Sequence, residues 1–189
     1  MENNAQIISI LAPLVGVIIG GLITIIANWI PILSKRKEEK IKVAQYLSFN
    51  LDAFAVACAE VVGDNEGNTG PYPSQTRGPE VPGVGSDLNA STLRRDLYTR
   101  FHEIKIAKIL SDSYIRFYEG DQNDHNAAAD QEADDCAKLG YDALMLARDI
   151  RRSAGIPEPN YNDIFQNFEG ILKDRRDRVE NKRKTESEG

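Results

Sequence analysis

Residues 7–33, IISILAPLVGVIIGGLITIIANWIPIL, contain no ionisable side chain, and their only polar residues are Ser9, Thr24 and Asn28. As an α-helix rising about 1.5 Å per residue, this segment would be roughly 40 Å long, which exceeds the ~30 Å hydrocarbon core of a bilayer. Eighteen or more consecutive apolar residues are typical of a membrane-spanning helix. The segment therefore predicts one transmembrane helix over Ile7–Leu33.

The charges that flank this segment predict its orientation. Lys35, Arg36 and Lys37 follow it directly, whereas residues 1–6 contain no Lys or Arg. Cytoplasmic flanks of membrane helices carry an excess of Lys and Arg, so these three residues are the predicted topology determinants. They place residues 1–6 outside the cytoplasm and the rest of the chain at the cytoplasmic face of the inner (plasma) membrane. No cleaved signal peptide is predicted, because the apolar stretch is too long and no basic residue precedes it.

Small residues recur along one face of the predicted membrane helix. Ala12, Gly16, Gly20 and Thr24 are four positions apart, and residues 16–20 form a GxxxG sequence. Small side chains let two helix backbones approach closely in lipid, so this face predicts a homodimer contact. In its apolar, Gly-rich span and basic stop, the anchor is similar to those of many uncharacterised bacterial single-pass proteins, over the first 40 residues only.

The remaining chain has the composition of a folded domain. Of the 189 residues of the whole chain, 41% are hydrophobic and 28% are charged, which does not fit wholesale disorder. The net charge of −6 argues against a nucleic-acid-binding protein, since phosphate contacts demand a broad basic face. Cys58 and Cys136 fall on apolar faces of predicted helices, so we expect buried free thiols and no disulfide framework.

The pattern of apolar residues predicts an all-α protein in which the transmembrane helix is followed by an antiparallel four-helix bundle, with short turns between its later helices. The bundle covers residues 34–182, and a polar tail follows at 183–189. Residues 63–90 hold six glycines and four prolines. They predict a long flexible loop between the first and second helices.

Apolar residues spaced by three and four mark the predicted inner face of each helix, with Ser91 as the N-cap of the second and Gly155 as the stop of the third. In chain order the four faces are Ala44, Leu47, Leu51, Phe54, Cys58 and Val61; Leu93, Leu97, Phe101, Ile104, Leu110, Tyr114 and Phe117; Ala133, Cys136, Gly140, Ala143, Leu144, Ala147 and Ile150; and Ile164, Phe165, Phe168, Leu172 and Val179.

Residues that could carry catalysis or bind a metal are sparse. His102 and His125 are the two histidines, and neither completes the Glu-x-x-His pair of bundle di-metal sites. Asp121, Asn123, His125 and Glu132 fit a calcium-loop frame, but position 6 of the frame is Asn126 where glycine is required. We therefore expect no catalytic residue, no metal site and no cofactor.

The predicted fourth helix ends in a basic segment. In an up-down-up-down bundle it would return to the membrane-proximal end, beside residues 35–42 and the acidic start of the third helix. There its cations would contact anionic headgroups or those acids. The candidate lipid contacts are Arg175, Arg176, Arg178, Lys182, Arg183 and Lys184.

These features predict a non-enzymatic, membrane-anchored helical adaptor that holds an unknown cytosolic protein at the inner membrane. Membrane lipid and a second copy of the chain are further expected partners. The first alternative is an oligomerising membrane effector of the toxin or defence type that perturbs the bilayer. The second is an enzyme with an unrecognised site.

Overall fold

The computed structural model describes residues 2–67, 77–85, 88, 92–119, 125–160 and 163–188. Within the helices, the side chains of residues 2–19, 25–26, 163–166 and 188 lie outside this description. The described residues form four α-helices and no strand, which confirms the all-α prediction. The helices are α1 (Glu2–Gly67), α2 (Arg95–Phe117), α3 (His125–Ala154) and α4 (Asp163–Glu188).

The chain divides into two compact units, and α1 contributes to both. Unit 1 is Met1–Lys40 and unit 2 is Ile41–Gly189. In unit 1 the described large apolar side chains in the second half of the apolar segment are exposed: Leu22, Ile23, Trp29, Ile30, Ile32 and Leu33. By length and composition, α1 is the one described helix that could cross a membrane.

The core of unit 2 is built on the predicted faces of α1 and α3. Every predicted inner residue of α1 from Ala44 to Val61 is buried, as is every predicted inner residue of α3 from Ala133 to Ile150. The small residues of α3 let its neighbours pack closely. A Cβ atom added at Gly140 would lie 2.7 Å from Cys58 Cβ and 3.0 Å from a methyl carbon of Leu172. Both inner-face predictions are confirmed.

Helix α3 ends at Ala154, directly before the predicted C-terminal glycine, Gly155. Gly155 has a φ of +68°, a conformation that residues with a Cβ atom rarely adopt. Its amide donates to the Arg152 carbonyl, and the Ile156 amide donates to the Arg151 carbonyl at 3.0 Å. This pair of hydrogen bonds is the Schellman arrangement, which satisfies carbonyls that the helix leaves unpaired.

Side-chain contacts give the direction of each helix in unit 2. Helix α3 runs antiparallel to α2, because Arg100 pairs with Asp149 and Ser111 with Asp135. It also runs antiparallel to α4, because Arg148 pairs with Glu169 and Arg175 with Asp134. Asp52, in the unit 2 part of α1, pairs with Arg151 near the end of α3, whereas Glu66, at the end of α1, pairs with Arg178 of α4. This part of α1 therefore runs antiparallel to α3.

The predicted up-down-up-down order is therefore wrong for unit 2. The unit 2 part of α1 runs parallel to α2 and α4, and α3 alone runs in the opposite direction. A segment of more than twenty residues joins α1 to α2, and a connection of that length can return the chain to the starting end of the helix. As a result, the C-terminal part of α4 and the acidic start of α3 lie beside Glu66, at the opposite end of unit 2 from Ile41 and Lys42.

Two predicted boundaries also need correction. Helix α1 continues through Gly63 to Gly67, and a Cβ added at either glycine would meet open space. Helix α2 begins at Arg95, and Ser91 lies outside the described residues. The predicted polar tail continues α4, which ends at Glu188. Leu172 is buried as predicted, with Phe168 and Val179 half-buried, whereas the side chains of Ile164 and Phe165 lie outside the description.

Candidate functional site

The face of α2 that points away from the core is apolar. Its core-facing residues are Leu97, Phe101, Ile104, Lys108, Ser111 and Ile115. The predicted inner residues Leu110, Tyr114 and Phe117 instead lie on the opposite side. Together with Ile106 and Ile109 they make up the outer face of α2, with exposed fractions between 48% and 65%. Ser113 lies among them, and its hydroxyl donates to the Ile109 carbonyl, so it needs no other partner.

Hydrogen bonds to two carboxylates explain why α2 turns a lysine and a serine inward. Lys108 is 5% exposed, and its ammonium donates to Asp112 one turn later. The Ser111 hydroxyl donates to a carboxylate oxygen of Asp135 at 2.6 Å. A buried polar group that is hydrogen-bonded avoids most of its desolvation penalty. The inner face can therefore continue through these two residues, and Leu110, Tyr114 and Phe117 remain outside.

A groove runs between α2 and α3 beside this outer face. Its wider section has a volume of about 560 Å³. Apolar side chains of both helices line it, among them Leu110, Tyr114 and Leu139. A narrower section of about 330 Å³ continues toward the start of α2, past Glu103 and Arg100. We call the two sections together the α2–α3 groove.

Three described carboxylates line the α2–α3 groove: Asp135 in the wider section, and Glu103 and Asp142 in the narrower one. Asp135 accepts from Ser111 and, at 2.9 Å, from Gln131. Burial raises the pKa of Asp142, although Lys138 and Arg176 nearby act in the other direction. Two exposed cations, Lys138 and Arg183, line the wider section, Arg183 from the last turns of α4.

A second polar cluster lies beneath residues 77–85. The Gly78 amide donates to Glu132 Oε1 at 2.7 Å, and Glu132 is 7% exposed. A Cβ added at Gly78 would lie 3.0 Å from Cys136 Sγ and 3.2 Å from Lys108 Nζ, so only glycine fits without displacing them. Arg77 adds an ion pair with Glu119 at 2.6 Å. The cluster attaches this segment to α2 and α3.

Residues 77–85 and 88 of the predicted flexible loop contact the core. Val81, Val84 and Leu88 pack against it, and Gly78 is hydrogen-bonded to it. A few apolar side chains and one buried acceptor are enough to attach a glycine-rich segment, and the flexibility of the loop stays a prediction. Residues 68–76 lie outside the description.

The two cysteines are buried and free, as predicted. Burial raises the pKa of the Cys58 thiol well above its ordinary value, and a hydrogen bond with Cys136 raises it further. The thiolate is the reactive form of cysteine, so this environment keeps Cys58 unreactive at neutral pH.

The predicted membrane-contact and topology residues lie in unit 1. Gly20 has open space where a Cβ would be, and the Thr24 hydroxyl donates to the Gly20 carbonyl at 2.8 Å. The side chains of Ala12 and Gly16 lie outside the described residues. Lys35, Arg36 and Lys37 are exposed. The homodimer contact and the orientation stay predictions.

The candidate lipid contacts on α4 divide into two groups. Arg175 binds Asp134 and Asn65, Arg178 binds Glu66, and Arg176 lies 4.0 Å from the centre of the Tyr141 ring. These three arginines join α4 to α1 and α3. Those that remain exposed near the end of the helix are Lys182, Arg183 and Lys184. Lipid contact stays a prediction for this group.

The histidines do not form a site with one another. His102 packs edge-on against the Tyr98 ring, with ring centres 4.4 Å apart, and His125 is exposed at the start of α3. Two residues of the predicted calcium-loop frame, Asp121 and Asn123, lie outside the described residues. Glu132 already accepts a hydrogen bond from the Gly78 amide. Among the described side chains, no three His, Cys, Asp or Glu residues lie close enough to hold a metal ion.

The α2–α3 groove was not predicted, although the sequence carries a signal for it. Ile106 and Ile109 cannot share a helix face with Phe101 and Ile104, so α2 has apolar residues on two sides. Comparison with protein-family models, with curated proteins and with solved structures finds no match for this chain.

Proposed function

We propose that this chain is a membrane-anchored adaptor that holds a cytosolic protein at the inner (plasma) membrane. In this proposal the first part of α1 spans the bilayer, and the outer face of α2 binds an α-helix of the cytosolic protein. No catalytic step is involved.

The anchor is supported by the exposure of unit 1. Residues 22–33 carry six large apolar side chains that are more than half exposed. In water this arrangement would be costly, at about 25 cal/mol for each Å² of apolar surface, whereas lipid removes that cost. Lys35, Arg36 and Lys37, which follow at once, favour a cytoplasmic position for the chain beyond them.

The observation that carries the adaptor role is the outer face of α2. Scattered exposed apolar residues are ordinary, but contiguous apolar patches beside a groove are typical of interaction surfaces. Here Ile106, Leu110 and Phe117 recur at helical spacing beside Ile109 and Tyr114, and the core needs none of them. An amphipathic helix that lays its own apolar stripe along such a surface is a common mode of recognition.

Photo-crosslinking in cells tests this role. A photo-reactive residue at Leu110 or Phe117 of the full chain should give an adduct with one cytosolic protein, because these side chains contact it directly. The same residue at Glu60, exposed on α1, is the matched control and should give none. Replacing Ile109 with glutamate should abolish the adduct from Leu110, since a carboxylate would be buried in the contact.

Two results would contradict the adaptor role. One is an equal yield of adducts from Glu60, which would mean that the contact is not specific to α2. The other is an adduct formed only between two copies of this chain, which would make the outer face of α2 an oligomer contact.

An oligomerising membrane effector is the second candidate. It is favoured by the face that carries Gly20 and Thr24, where space is open and the threonine hydroxyl is already satisfied within the helix. Helix faces made of small residues, whose polar groups are hydrogen-bonded within the same helix, pack closely in lipid. Overexpression separates the two candidates, because an effector depolarises cells and an adaptor leaves the membrane potential unchanged.

A further inference from the structure

Resting on the proposed function, we infer that the helix bound at the α2–α3 groove is acidic and amphipathic. Its apolar stripe lies on Leu110, Tyr114 and Leu139, and its carboxylates pair with Lys138 and Arg183. The argument has three steps: the apolar floor, the charges that remain open, and the length of the site.

The floor of the wider section is apolar and continuous with the outer face of α2. Leu110 and Tyr114 belong to both surfaces, and Leu139 of α3 lies across from them. A helix seated here would bury the groove and part of the outer face at the same time. The hydrophobic effect therefore favours a helix over an extended polar segment or a small anion.

The open charges in the wider section are positive. Asp135, the acid that lines it, already accepts from Ser111 and Gln131. Lys138 and Arg183 are exposed, and no described carboxylate forms an ion pair with either. Glu103 and Asp142 line the narrower section, and neither lines the wider section, although Lys138, which lines both, also lies near Asp142. A carboxylate of a bound helix would complement both cations.

The wider section is as long as a short helix. Ala107 and Tyr114 line its ends along α2, a span of about 10 Å at 1.5 Å per residue. A bound helix therefore needs about two to three turns, with apolar residues at i, i+3, i+4 and i+7 and acids on the flank nearest α4.

Two matched peptides test this inference against the full chain in zwitterionic phosphatidylcholine nanodiscs. Both are labelled helical peptides with the same leucine stripe, one flanked by glutamates and the other by lysines, and binding is measured by fluorescence anisotropy at low salt. Empty nanodiscs give the background. The glutamate peptide should bind about tenfold more tightly, the summed effect expected of two exposed charge pairs.

Charge-reversal variants assign the preference to the groove. K138E/R183E should reverse the preference between the two peptides. K182E/K184E changes the net charge equally, on exposed α4 residues that do not line the groove, and should leave the preference unchanged. Equal affinity for both peptides, no binding of either, or the same response to both double variants would overturn the inference.

The same experiment separates this inference from the adaptor role. If Leu110 gives a position-specific adduct in cells but the peptides show no charge preference, a helix of different chemistry binds there, and only the acidic-helix inference fails. If neither the adduct nor peptide binding is found, both fail.

Discussion

Replacing Arg151 with methionine is expected to lower the free energy of unfolding of unit 2 by about 3–5 kcal/mol, because the change leaves the Asp52 carboxylate buried without its cation. Both side chains of this pair are at most 6% exposed. Glu158 also lies 3.5 Å from Arg151. Urea unfolding of the detergent-solubilised full chain, followed by far-ultraviolet circular dichroism, measures the loss.

The neighbouring arginine supplies the control. Arg152 is exposed and pairs only with Asp149 among the described side chains, so Arg152→Met should cost less than about 0.5 kcal/mol. The double variant D52L/R151M should recover most of the loss, because apolar side chains of similar volume replace the pair. Equal effects of Arg151→Met and Arg152→Met would show that the pair does not hold α1 against α3.

Replacing Gly140 with alanine should also destabilise unit 2, by about 1–3 kcal/mol, through overpacking. The new Cβ would be 2.7 Å from Cys58 Cβ, an atom that moves only with the backbone of α1. This cost exceeds the gain of up to about 1 kcal/mol that alanine brings to a helix interior. The same urea titration measures the difference.

Gly63 is the matched position for this prediction. It is exposed within α1, with nothing within 4 Å of an added Cβ, so Gly63→Ala should stabilise unit 2 by about 0.5–1 kcal/mol. The two Gly→Ala changes should therefore have opposite signs. Stabilisation by Gly140→Ala would mean that α1, α3 and α4 do not approach as closely as described.

Apolar periodicity predicted the faces of α1 and α3 because each has one dominant stripe. In α1, Tyr46 and Phe49 lie off the stripe and are exposed, but they are fewer than the six residues from Ala44 to Val61 that form it. Helix α2 carries two apolar sides. The choice between Leu110 and Ser111 as the core residue depends on Asp135, a hydrogen-bond partner 24 residues further along the chain. No local pattern contains that information.

The direction of α1 relative to α2 and the α2–α3 groove could not be predicted from the sequence, for a related reason. A short turn forces neighbouring helices to be antiparallel, but a long segment permits either direction. The hydrogen bond that attaches residues 77–85 to α3, from Gly78 to Glu132, joins positions 54 residues apart, so no local pattern predicts where this segment packs. The groove is lined by residues of α2 and α3 and by Arg183 of α4, so its residues come together only in three dimensions.

The most direct test of a membrane-anchored adaptor is alkaline carbonate extraction of membranes from cells that express the full chain or residues 41–189. In the proposed arrangement the apolar segment spans the bilayer, so the full chain should stay in the membrane pellet and residues 41–189 should be in the soluble fraction. Release of the full chain by carbonate, or retention of residues 41–189 in the pellet, would contradict the account.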